Sequence, residues 1–132
     1  MVTLLDTNAF LWWLADDARL GEKARSVIAS PSNAVYVSNL SLFECAIKAK
    51  LGKLTIDLKA VDQEISEGRL LELRFDTEAA RHFVDYVQLP HSDPFDTALV
   101  AQAIVKRMTF ITSDNLVLAT KLDGLLSMDA TK

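Results

Sequence analysis

The chain has one cysteine, Cys45, and two histidines, His82 and His91. A single thiol excludes an internal disulfide framework, and so few soft ligands argue against a zinc site built from Cys and His. No histidine or second cysteine lies close to Cys45 in sequence. With no base evident beside the thiol, Cys45 is expected to be a small core residue and not a nucleophile. Four glycines and three prolines in 132 residues, half of them hydrophobic, leave no disordered or linker-like segment. No apolar run reaches the roughly 18 residues of a membrane span. The opening MVTLLDTNAFLWWLA lacks a basic start and is interrupted by Asp6, which argues against a signal peptide. A cytoplasmic protein of one domain, residues 1–132, is therefore expected. A basic excess is also lacking. The net charge of −4 is unfavourable for binding phosphates, unless four carboxylates are metal ligands; the rest of the chain is then neutral and the bound cations reverse the local sign.

Short apolar runs alternate with segments of helical spacing. VTLL, AVYVS, LLELRF, MTFIT and LLSM read as strands. Between them NAFLWWLAD, GEKARSVIAS, NLSLFECAIKAKLG, LKAVDQEISEG, TEAARHFVDYVQ, the run from Pro94 to about Lys106, and DNLVLAT read as helices. Strands without a polar face imply a parallel sheet covered on both sides, an α/β fold of three layers with about five short strands. In LKAVDQEISEG, Leu58, Val61 and Ile65 form the expected apolar stripe. Trp12 and Trp13 point about 100° apart on a helix and cannot both be centred on one core face, so either one is exposed as an apolar anchor for a partner or both pack into the core.

In open parallel sheets, ligands bind beyond the carboxyl ends of the strands, so acids at those ends come first. Asp6 follows VTLL directly and Asp114 follows TFIT; each alone also reads as a helix N-cap. Glu44 falls between Leu40, Phe43, Ile47 and Leu51, the apolar positions of its helix, where a carboxylate needs a partner. Lys48, one turn on, offers an intrahelical pair worth only about 0.2–0.5 kcal/mol. In HSDPFDTALVAQA, Asp93 fits an N-cap with Pro94 at N1 and Asp96 at N3, ahead of a helix with almost no polar side. Converging carboxylates repel by roughly 4 kcal/mol per pair at about 4 Å and an effective dielectric of 20. They imply bound cations or raised pKa values, and an all-oxygen set selects Mg²⁺ or Mn²⁺.

LLDTNAFLWWL, VSNLSLFECAIKAKLGKL, HSDPFDTALVAQA and FITSD, in this order and spacing, resemble the motifs of PIN-domain ribonucleases, and within them the VapC-type toxins of bacterial toxin–antitoxin pairs, in the HxDPFD variety. The resemblance covers nearly the whole length. It implies a three-layer PIN fold and an acidic catalytic metal site of Asp6, Glu44, Asp96 and Asp114 holding one or two Mg²⁺ or Mn²⁺ ions. Asp93 is then a ligand, a support behind the ligands or only the cap, with cap plus support favoured. Asn8 and Thr112 or Ser113 match polar supporting positions. Thr97 departs from the Arg that many relatives carry after the second Asp. Lys48, Lys50 and Lys53 either steer phosphates or form an ordinary solvated face. The implied activity is metal-dependent hydrolysis of single-stranded or loop RNA, with a VapB-type antitoxin and a second copy of the chain as partners.

Other classes make different demands. A receiver-like phospho-signalling domain needs paired acids after the first strand and a late phosphate-binding Lys; a haloacid-dehalogenase-like phosphatase needs Asp-x-Asp where Asn8 stands. A non-catalytic PIN-like interaction module would be expected to have lost one or more of the four acids.

Overall fold

A computed structural model of the chain describes residues 1–90 and 93–132. His91 and Ser92 of the HSDPFD segment lie outside the described residues. The elements run β1 (Val2–Leu5), α1 (Thr7–Leu14), α2 (Glu22–Ala29), β2 (Ala34–Ser38), α3 (Asn39–Lys50) and α4 (Leu58–Ser66). They continue with β3 (Leu71–Leu73), α5 (Thr77–Asp85), α6 (Pro94–Val105), β4 (Thr109–Thr112), α7 (Asn115–Ala119) and β5 (Leu126–Asp129). The strands form one sheet in the order β3-β2-β1-β4-β5, every pair parallel, as the alternation of elements predicted.

The layering follows from the two-residue period of β1. Leu4 and Leu5, both fully buried, point to opposite faces of the sheet. Leu5 joins Phe10, Ile28, Val37, Cys45 and Val61 under α1 to α4, whereas Leu4 joins Leu99, Val100, Phe110 and Val117 under α6 and α7. From central β1 the chain builds outward to β2 and β3, then crosses to β4 and β5 on the other side. The reversal opens a crevice at the carboxyl ends of β1 and β4. Asp6 N–H donates to Ile111 O across it (2.8 Å), so the strand pair is joined up to the first acid.

Two expectations from periodicity are corrected. On α3 the stripe of Phe43, Ile47 and Leu51 faces solvent, and Ser41, Glu44 and Cys45 are buried instead. The small side chains at 41 and 45 let the helix approach α1 and the sheet closely, and the Glu44 carboxylate finds partners there. Leu58, in the first turn of α4, is exposed while Val61 is buried and Ile65 packs on the core. Neither Trp is exposed. Both pack half-buried on the Phe10 cluster, Trp13 donating its indole N–H to Glu64 Oε1 (2.5 Å) and Trp12 lying under the Arg19 guanidinium at 5.2 Å. A large ring is accommodated at the edge of a core without being centred on it, because its polar tip or face takes a charged neighbour.

Candidate active site

Three helices begin on this crevice, and each is capped by an aspartate. Asp6 Oδ1 accepts from Ala9 N–H at the start of α1 (2.7 Å). Asp93 Oδ1 accepts from Phe95 and Asp96 N–H at the start of α6 (2.9 and 3.2 Å), with Pro94 in the first turn. Asp114 Oδ1 accepts from Leu116 and Val117 N–H at the start of α7 (2.9 and 3.4 Å). Capping and clustering are thus not alternatives: the sequence places an acid after each short apolar strand or loop, the helix N-terminus binds one oxygen, and the fold aims all three helix ends at one space.

Asp6 is the most tightly held. Its Oδ2 accepts from the Thr112 hydroxyl (2.7 Å) and from Ser113 N–H (3.1 Å), and the residue is 5% exposed. Burial pushes its pKa above the ordinary value and the nearby Asp114 adds to that, against the lowering by its three donors. Thr112 Oγ1 also accepts from Asp114 N–H (3.0 Å), so one hydroxyl fixes two acids. The Ser113 contribution is its backbone N–H.

Glu44 reaches the same space from α3. Its Oε1 accepts from the Thr7 hydroxyl (2.8 Å), which also meets the Ser41 hydroxyl (3.0 Å), and its Oε2 accepts from Lys48 Nζ (3.0 Å). Lys48 is thereby drawn into the site, its pKa raised chiefly by this bond. Thr7 and Ser41 are buried partners that the sequence did not single out. Their signal was present: Ser41 is one turn before Glu44 on the same helix face, and Thr7 stands beside Asp6.

A cavity of about 270 Å³ gathers Asp6, Asn8, Glu44, Asp93, Asp96, Ser113 and Asp114, with Lys48 at its wall. All four acids expected at the site line it, as do Asp93 and Asn8. Thr112 is buried behind it, and Lys50 and Lys53 are exposed away from its lining. The Thr97 hydroxyl turns back onto Asp93 O (2.8 Å), a local use that an Arg side chain would not have. Cys45 is fully buried, its thiol pushed up to about 11 by burial and the adjacent Glu44, which leaves it inert at neutral pH.

The donor set is all oxygen, which suits a hard divalent cation. As placed, the side chains serve one another: Glu44 is turned to Thr7 and Lys48, and among the described residues no three Asp, Glu, His or Cys stand close enough to hold one ion. The raised Asp6 pKa marks a desolvated negative charge that a cation would relieve. The residues therefore suit a divalent cation by chemistry and location, and Glu44 would have to give up its Lys48 partner to hold one.

Comparison with known proteins places this geometry. The chain matches the PIN domain over residues 3–121 and belongs to that family. Among solved structures it is similar to VapBC2 from Rickettsia felis bound to a DNA fragment from its promoter, with a TM-score of 0.69, 14% identity and 98% of each chain covered. It is likewise similar to VapBC-1 from nontypeable Haemophilus influenzae (TM-score 0.66, 18% identity, 100% of each chain). A member of the VapBC family of toxin–antitoxin systems, VapBC-5 from Mycobacterium tuberculosis, gives a TM-score of 0.64 at 20% identity, over 97% of this chain and 98% of that one. These likenesses are of fold. A comparison with curated protein sequences returns no match.

Proposed function

We propose that residues 1–132 form one PIN domain that hydrolyses RNA phosphodiester bonds with one or two Mg²⁺ or Mn²⁺ ions, as the toxin of a type II toxin–antitoxin pair. The observation that carries this reading is the convergence of Asp6, Glu44, Asp96 and Asp114, from four separate segments, on one cavity at the β1/β4 crevice. A receiver-like domain is disfavoured by the strand order, since that fold runs 2-1-3-4-5 and this sheet runs 3-2-1-4-5.

In this mechanism Asp6, Glu44, Asp96 and Asp114 hold the metal, and Asp93 caps α6 and supports Asp96. Bound metal would supply a water of lowered pKa and neutralise charge on the phosphate. Thr112 and Ser113 donate to Asp6 and aim it, and Thr7 orients Glu44. Lys48, at the cavity wall, is the side chain that would meet a phosphate oxygen. Lys50 and Lys53, away from the lining, are left the weaker role of long-range attraction. Single-stranded or loop RNA suits a narrow cavity that stacked helices cannot enter.

The toxin role is supported by the shared fold with VapBC complexes. A VapB-type antitoxin and a second copy of the chain are the proposed partners, in the cytoplasm; no helix among the described residues is long and apolar enough to cross a membrane. The exposed stripe of Phe43, Ile47 and Leu51, and not the Trp pair, is the apolar surface we assign to the antitoxin. Cleavage of labelled single-stranded RNA in Mg²⁺ or Mn²⁺, lost in chelator and in Asp6→Asn and Asp96→Asn, is the expected result. Cleavage that persists in either variant or in chelator would refute the metal-nuclease reading. Growth arrest on expression, relieved by the neighbouring gene, tests the toxin role.

A further inference from the structure

The carboxylate cavity shares its acids with a larger cleft whose lining adds a different chemistry. This space, about 590 Å³, is lined by Glu44, Asp93, Asp96 and Asp114 together with the apolar Ile47, Pro94 and Phe95. Its size is that of a small-ligand site. Ile47 is 38% exposed on α3, and Phe95 is half-buried in the first turn of α6. Phe95 N–H donates to Asp93 Oδ1 and Asp96 N–H to the same oxygen, so the cap that starts α6 also holds the Phe95 backbone beside the acids.

Among the described residues lining this cleft, Lys48 is the one cation, and it is bonded to Glu44. Stacking on an aromatic face adds affinity that does not depend on ammonium–phosphate contacts, and it requires an unpaired base that can leave its neighbours.

We propose that this cleft is a nucleobase subsite, in which the base next to the phosphate at the carboxylates lies against the wall of Ile47, Pro94 and Phe95. The inference rests on the nuclease reading, because it takes the carboxylate cavity as the place of the phosphate. The ring of Phe95 gives affinity for any base, and Ile47, from α3, sets how wide a base is accepted.

The test compares equilibrium binding of adenosine and uridine 5′-monophosphate with that of ribose 5-phosphate to the full chain loaded with Mn²⁺. The nucleotides are expected to bind at least about tenfold more tightly than the sugar phosphate. Phe95→Ala and Ile47→Ala are expected to remove that preference while leaving ribose 5-phosphate binding unchanged. Phe95→Leu keeps the bulk that packs α6, and Ile47 is exposed enough for truncation to leave the fold intact, so a folded variant is available on each of the two helices. Equal affinity for nucleotide and sugar phosphate, a preference unchanged in the variants, or no binding by any of the three ligands overturns the subsite. The parallel RNA cleavage assay separates the two readings: metal-dependent cleavage together with equal affinity for nucleotide and sugar phosphate overturns the subsite alone. Base preference without cleavage keeps the subsite and overturns the nuclease.

Discussion

Thr112→Val replaces a fully buried hydroxyl by a methyl of nearly the same shape, leaving the packing of β4 in place and removing only hydrogen bonds. Two are lost. The bond to Asp6 Oδ2 at 2.7 Å has a charged acceptor, a class worth about 1.5–3 kcal/mol. The bond from Asp114 N–H at 3.0 Å leaves a part-buried donor behind, at about 1 kcal/mol or more. The new methyl recovers about 0.8 kcal/mol by burial. The net loss is about 2–4 kcal/mol, a large part of the roughly 5–15 kcal/mol that holds a domain together. Urea unfolding at pH 7 should show a lower midpoint with the slope unchanged, while Thr112→Ser, which keeps the hydroxyl, should lose about half as much. The loss also depends on pH with a defined sign. The lost donor favours ionised Asp6, whose folded pKa lies above the ordinary 3.8, so the deficit is greatest at neutral pH and shrinks as pH falls through that raised value. A deficit below about 1 kcal/mol at pH 7, or one no larger at pH 7 than near pH 4, would show that Thr112 does not hold Asp6 in the way described.

Because the folded state binds the Asp6 proton more tightly than the unfolded chain, ionisation of Asp6 weakens folding as pH rises from 3.8 through its raised pKa. Asp6→Asn should therefore gain stability relative to wild type over that window, and saturating Mg²⁺ should reverse the order by stabilising wild type alone; midpoints measured against pH with and without metal check both. Lys48→Met removes the cation that holds Glu44 Oε2, so Mn²⁺ should bind about tenfold more tightly by calorimetry, and unchanged or weaker binding would mean that Lys48 does not compete with the metal. Gln102 is 1% exposed on α6, and its amide nitrogen and oxygen have no partner among the described residues. Gln102→Met should raise stability by about 1–2 kcal/mol in the same urea assay, and a loss would reveal a partner for the amide.

Much of the fold was legible because its rules are local. Short apolar strands, alternating with helical segments, specify a parallel sheet between helical layers, and a five-stranded parallel sheet is what forms. N-cap chemistry is equally local: Asp6, Asp93 and Asp114 each precede a helix, and each caps it through Oδ1. Gly52, with φ of 73°, ends α3 where the sequence put its stop.

Tertiary structure decided what depends on how elements are set against one another. Periodicity identifies two faces of α3 but not which one the sheet covers. The face with small side chains and Glu44 went inward, because close approach and two hydrogen-bonding partners outweigh the burial of Phe43, Ile47 and Leu51. Likewise the sequence marks Asp6 and Thr112 as separate strand ends. Only the pairing of β1 with β4 brings that hydroxyl, 106 residues away, within 2.7 Å of the carboxylate. The residue types at the strand ends came from the sequence alone; their convergence on one cavity is a property of strand order, since an acid's position in the chain carries no information about which other acid it will face.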